Sequence, residues 1–147
     1  MLTNYPMSTD RPGLRILLID DSDDDRLLFT VAFGKSGIAG DIIEKEDGNE
    51  AIEFLKRIAE RPHTERPDAV FLDLKMPGRN GFEVLEWVQD QPDLRTLTIF
   101  ILSGSNEPSD IQRARELGAA GYMVKPIKSE KFRELFAHPP AGIEAID

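Results

Sequence analysis

Ala69, Val70, Phe71 and Leu72 run apolar without a break into Asp73, and strong turn chemistry follows in Met76-Pro77-Gly78-Arg79-Asn80-Gly81. A short apolar run closed by a turn reads as a strand covered on both faces, the habit of parallel sheets in α/β proteins. Ending such a strand in an acid puts the Asp73 carboxylate at the carboxyl edge of the sheet. Open parallel sheets bind their ligands at that edge.

The rest of the chain supplies the neighbours such a strand needs, alternating strand and helix signals five times. Leu14 to Ile19 is the first strand and ends in Asp20-Asp21. Ser22 is a good N-cap, with Asp23, Asp24 and Asp25 in a first turn where acids suit the helix dipole and are read as a solvated helix start. Leu27, Leu28, Val31 and Ala32 recur at helical spacing, and the helix is expected to close between Gly34 and Gly37. Asp41 to Glu46 is a short second strand, followed by a helix with Ala51, Ile52, Phe54, Leu55 and Ile58 on its apolar side. Arg61 to Pro67 is polar, proline-flanked and expected on the surface. Phe82, Leu85 and Val88 mark the third helix, Leu97 to Leu102 the fourth strand, and Pro108 to Gly118 the fourth helix. Gly121 to Pro126 is the fifth strand and Ser129 to Ala137 the last helix.

Composition narrows the function. A chain of 147 residues with 40% hydrophobic and 31% charged residues is expected to be one ordinary globular domain, with loose tails over 1–13 and 138–147. No apolar run approaches membrane-spanning length, and the start lacks the pattern of a secretory signal. The absence of cysteine excludes disulfides and thiolate metal sites and agrees with a cytoplasmic location. A net charge of −9 argues against direct nucleic-acid binding, which needs a basic face for phosphates.

If the strands are parallel, Asp20, Asp21, Asp73, Ser103 and Lys125 converge on one sheet edge. Clustered carboxylates resist ionising together unless a cation sits among them, and oxygen-only ligands point to a hard ion, Mg²⁺ above all. A hydroxyl and an ammonium beside them suit the oxygens of a phosphoryl group. The pattern is that of a phosphoryl site with a carboxylate nucleophile.

Asp20-Asp21 after the first strand, Asp73-Leu74-Lys75-Met76-Pro77-Gly78 at the third, Ser103-Gly104 at the fourth and Lys125-Pro126 after the fifth resemble the receiver domain of two-component response regulators. The intervals agree, with 30 positions from Asp73 to Ser103 and 22 from Ser103 to Lys125. Over 14–137 the resemblance implies a flavodoxin-like, doubly wound parallel sheet of five strands in the order 2-1-3-4-5. It implies Asp73 as phosphoacceptor, Asp21 as a direct Mg²⁺ ligand with Asp20 acting through water, the backbone carbonyl of Lys75 as a further metal ligand, and Ser103 and Lys125 as phosphoryl contacts. Tyr122 would be an aromatic switch, turning into space freed by Ser103. The phosphoryl donor would be a sensor histidine kinase or phosphotransfer protein, since His63 and His138 lie in exposed-looking, proline-rich segments. Output would pass through the fourth helix, fifth strand and fifth helix, with a homodimer or kinase contact through that face.

The long interval from Asp21 to Asp73 and the short chain most resemble stand-alone regulators that partner bacterial phytochrome-type kinases. Such a protein is a phosphoacceptor with slow self-dephosphorylation rather than an enzyme. Other readings meet particular residues. A haloacid-dehalogenase-type phosphatase needs an acid two positions after its nucleophile, where this chain has Lys75, and a calcium loop counted from Asp21 meets Arg26 where glycine is required. A dinucleotide site needs a glycine-rich turn where Asp20-Asp21-Ser22-Asp23 stands. A receiver-like interaction or relay module with little regulated phosphorylation stays open, although the acids and the lysine it would have lost are present.

Overall fold

The computed structural model describes residues 13–137 and the backbone of 145–146. The expected tail over 1–13 lies outside the described residues apart from Gly13, as do 138–144, His138 included, and 147. In chain order the elements are β1 (Leu14–Ile19), α1 (Asp23–Ser36), β2 (Gly40–Lys45), α2 (Gly48–Ala59), a 3₁₀ turn (His63–Glu65), β3 (Ala69–Asp73), α3 (Gly81–Gln89), β4 (Ile99–Ser103), α4 (Pro108–Glu116), β5 (Gly121–Val124), α5 (Ser129–Ala137) and β6 (Ala145–Ile146). All pairings are parallel, and the order β2-β1-β3-β4-β5 is the expected one. The two-residue β6 extends the sheet beyond β5, within the segment expected to be a tail. Turn hydrogen bonds from Leu94 to Gln91 and from Leu97 to Leu94 delay the start of β4 to Ile99. Among the described residues no helix is long and apolar enough to cross a membrane.

Strand side chains alternate between two cores because successive residues point to opposite faces. Leu17, Ile19, Val70, Leu72, Ile99, Ile101 and Tyr122 pack with α2, α3 and α4, while Ile16, Leu18, Phe71, Phe100, Leu102 and Met123 pack with α1 and α5. Helices on both faces require every residue of β3 and β4 to be buried, and each is. The second core is aromatic: Phe71 lies 5.0 Å from Phe29, 5.9 Å from Phe132 and 5.2 Å from Phe100, centroid to centroid.

Helix α1 overturns the face expected from its spacing. Ser22 caps it through Asp25 N–H, and Gly37 ends it at φ 80°, as expected, but the buried residues are Arg26, Phe29, Phe33 and Ser36. Leu27, Leu28 and Val31 are 62%, 56% and 46% exposed. The rings of Phe29 and Phe33, one turn apart, both meet Phe132 and bury more apolar area than the aliphatic set can. Arg26 follows them inward because Glu44, Asp23 and the Asp20 carbonyl accept its hydrogen bonds. The 61–67 loop is also less superficial than expected. His63 is exposed, but Arg66 and Pro67 are buried, and Arg66 donates to the Asp93 carbonyl.

Replacing Phe132 by Ala is expected to cost about 3–5 kcal/mol of unfolding free energy, whereas Leu28→Ser changes it by no more than about 0.5 kcal/mol. Urea denaturation of the two variants measures both.

Candidate phosphoryl-acceptor site

The strand order reverses between β1 and β3, whose onward crossovers leave to opposite sides and open a crevice at their carboxyl ends. Register fills it with acids. Ile19 pairs with Leu72, so the next step sets Asp20 beside Asp73. Ser103 pairs with Val124, and Lys125 follows at once, before a cis peptide bond to Pro126. Gly81, at the start of α3, approaches so closely that a Cβ there would lie 2.4 Å from the Asp73 carbonyl oxygen, and only glycine admits that packing.

Asp20, Asp21 and Asp73 each offer a carboxylate oxygen within 4.8 Å of the others. Asp20 and Asp73 are buried and Asp21 is exposed at the mouth. Lys125 Nζ lies 2.8 Å from Asp20 Oδ2, 3.2 Å from Asp73 Oδ1 and 2.9 Å from Asp25 Oδ2. The second oxygen of Asp20 accepts the Ser22 N–H at 3.0 Å. Ser103, 2% exposed, accepts the Ser105 N–H through Oγ and the Lys125 N–H through its carbonyl. The structure thus brings together the side chains of Asp20, Asp21, Asp73 and Lys125, and Ser103 stands at the neighbouring strand end, joined to Lys125 through its backbone. Lys75 is exposed two residues beyond Asp73 and lines a separate groove with Asn80, Asp110 and Arg113. Tyr122 already stands inward, fully buried, donating its hydroxyl to the Ser105 carbonyl at 2.9 Å.

Sequence reasoning missed two features. Asp25, assigned to a solvated helix start, is an ion-pair partner of Lys125. The backward tilt of first-turn side chains brings this turn toward the strand edge, but with Asp23 and Asp24 in the same turn it does not single out Asp25. The exposed apolar stripe of α1 was the other, and it left no such signal.

The electrostatics are those of one cation shared among several acids. Burial raises the Asp73 pKa from 3.8 to about 6, with Asp20 and Asp21 adding to the shift and Lys125 opposing it. For Lys125 burial acts to lower the pKa, but the hydrogen bonds to Asp20 and Asp25 and the Asp73 charge outweigh it and the net shift is upward. The two directions are compatible: the lysine collects the attraction of every acid, and each acid receives only part of the lysine. A donor set of three carboxylates without His or Cys fits a hard divalent cation that would relieve the remaining repulsion.

A carboxyl whose folded pKa exceeds its unfolded value opposes folding once it ionises, so the penalty is full above about pH 6 and fades as pH falls toward 4. Metal-free Asp73→Asn is therefore expected to be more stable than the parent by about 3 kcal/mol at pH 7.5, with the advantage shrinking by pH 4.5. Denaturation in chelator at the two pH values checks the sign.

Comparison with known proteins agrees with this geometry. The model of the response regulator receiver domain matches residues 16–137. Response regulator Rcp1 of Synechocystis is 32% identical over 85% of this chain and 83% of its own, and a Mn(2+)-bound form of response regulator Rcp1 superposes with a TM-score of 0.71 at 26% identity, covering 91% of this chain and 99% of that one. The two-component response regulator ORR1 of Oryza sativa subsp. indica is 31% identical over 96% of this chain, which spans 62% of that protein's length. The bacteriophytochrome response regulator RtBRR superposes with a TM-score of 0.73 at 34% identity, covering 85% of this chain and 76% of that one. With the doubly wound sheet, the acidic crevice and the family match all falling on the same residues, the chain belongs to the response regulator receiver family of two-component signalling.

Proposed function

We propose that this protein accepts a phosphoryl group on Asp73 from a sensor histidine kinase or phosphotransfer protein, in a Mg²⁺-dependent reaction, and passes the signal on by protein contacts. The observation that carries the reading is the Asp73 carboxylate, held between Lys125 at 3.2 Å and the acids Asp20 and Asp21 at the switch point of the sheet. An Asp73 oxygen forms the new bond to phosphorus while the bond from phosphorus to the donor's leaving atom breaks, and the leaving group keeps the electron pair. Asp21, Asp73 and the Lys75 carbonyl would hold Mg²⁺, with Asp20 behind them, and the ion supplies charge neutralisation for the transferring group. Lys125 and Ser103 would receive the phosphoryl oxygens.

The exposed Leu27, Leu28 and Val31 give the donor a place to dock. Leu28 borders both the cavity at Asp25 and Lys125 and a groove that Val31, Ala32, Lys35, Pro126, Ile127 and Lys128 complete, so the apolar stripe continues into the mouth of the phosphoryl site. A helix of the donor protein laid along α1 would cover the stripe and bring its phosphoryl group to Asp73. Output through α4, β5 and α5 is the complementary proposal, with a homodimer as its simplest form. Exposed Arg115, Glu116 and Glu134 give that face mixed sign. Arg113 and Arg133 are exposed on it too and also reach neighbouring helices: Arg113 stacks 4.4 Å from the Phe82 ring centroid on α3, and Arg133 donates to the Ser36 carbonyl at the end of α1. Kinship with phytochrome-associated regulators is supported by the match to RtBRR, a bacteriophytochrome response regulator.

Acetyl phosphate with Mg²⁺ is expected to add the mass of one phosphoryl group, and Asp73→Asn or excess chelator to abolish the gain. Mass addition that survives in Asp73→Asn rejects the reading and favours an interaction module or another acceptor. For the docking face, Val31→Asp is expected to lower the ratio of the transfer rate from a phosphorylated donor protein to that from acetyl phosphate by about tenfold or more. A ratio equal to the parent's removes α1 from the donor contact.

A further inference from the structure

Lys125 carries three ammonium hydrogens, and three carboxylates stand within reach of them: Asp20 at 2.8 Å, Asp25 at 2.9 Å and Asp73 at 3.2 Å. The reading of Asp73 as phosphoacceptor, on which this inference rests, requires the same ammonium to meet phosphoryl oxygens, so one present partner must give way. Asp20 is poorly suited to leave. Its side chain is 1% exposed and its other oxygen already accepts the Ser22 N–H, so water has no access to replace the lysine. Asp73 stays in place as the acceptor itself. Asp25 is 38% exposed, sits at the rim in the first turn of α1, and can exchange the lysine for water at little cost.

We infer that Asp25 is a positioning residue that holds Lys125 in the unmodified receiver and competes with the phosphoryl group for it. The contact spans 100 positions of sequence and joins the start of α1 to the end of β5. It restrains the lysine on the α1 side of the crevice, above a 330 Å³ cavity that Leu28, Phe29, Leu102 and Ile127 also line. Phosphorylation trades this half-exposed pair for one between Lys125 and the phosphoryl oxygens. Asp25 thereby sets how readily the phosphorylated form is reached and kept.

The test is beryllofluoride binding at saturating Mg²⁺, followed by the ¹⁹F resonances of bound fluoride. Asp25→Asn is expected to bind about threefold more tightly or better, the size of a half-exposed ion pair. Asp25→Glu, which keeps the carboxylate, returns affinity toward the parent value. Asp24→Asn removes the same charge from an exposed neighbour and separates a lysine-mediated effect from a general change of field. In a Lys125→Ala background the Asp25→Asn gain vanishes; phosphoryl lifetime after acetyl phosphate labelling gives the same comparison where binding is too weak to titrate. Unchanged or weaker binding by Asp25→Asn, an equal gain in Asp24→Asn, or a gain that persists without Lys125 overturns the inference and leaves the phosphoacceptor reading intact. A parent protein that binds no beryllofluoride overturns both.

Discussion

The ammonium of Lys125 stands where carboxylates from α1, from β3 and from the residue just after β1 meet, and the geometry of the crevice depends on it. Buried acids repel one another and lose solvation, and removing their shared cation would leave uncompensated charge in the interior. The compensation is partial. Asp73, with its pKa raised, is held in a state that favours gaining a cation or losing its charge. Three carboxylates so incompletely compensated form a donor set that fits a hard divalent cation, which would relieve the remaining repulsion.

Such a cluster is affordable because the scaffold beneath it is over-determined. Two apolar cores, one on each face of the sheet, bury β3 and β4 completely and lock the register that places Asp20 beside Asp73 and Lys125 beyond Ser103. The aromatic contacts of Phe71 with Phe29, Phe100 and Phe132 tie β3 to α1, α5 and β4. A one-residue slip would turn every strand side chain to the other face, so register and site are protected by the same burial.

Helix α1 links the site to the surface. Its buried side holds Phe29 and Phe33, its first turn holds Asp25 against Lys125, and its outer side leaves Leu27, Leu28 and Val31 in water. Apolar exposure of three residues of one helix beside an acidic crevice suits transient contact with another protein. Arg113 and Arg133 make contacts that keep α4 close to α3 and α5 close to α1, so the helices around the sheet are coupled in neighbouring pairs.

The positions of the elements and the meeting of Asp20, Asp21, Asp73 and Lys125 at one sheet edge were legible in the sequence, and the strand order was implied by the family its motifs resemble. Short apolar runs ended by polar residues are local signals, and parallel topology carries each strand end to one edge. What the sequence could not decide depended on competition between distant groups. Helical spacing offered α1 two possible faces, and the choice fell to whichever could fill the space around Phe132, which lies about a hundred positions away. Asp25 and its two acidic neighbours are chemically identical in sequence; the arrival of Lys125 within 2.9 Å singles one of them out. Arg66 turned inward because the Asp93 carbonyl was there to accept from it. Periodicity and turn chemistry set the framework, while burial and pairing across the fold chose which side chains inside that framework act together, because those energies exist only once remote segments have met.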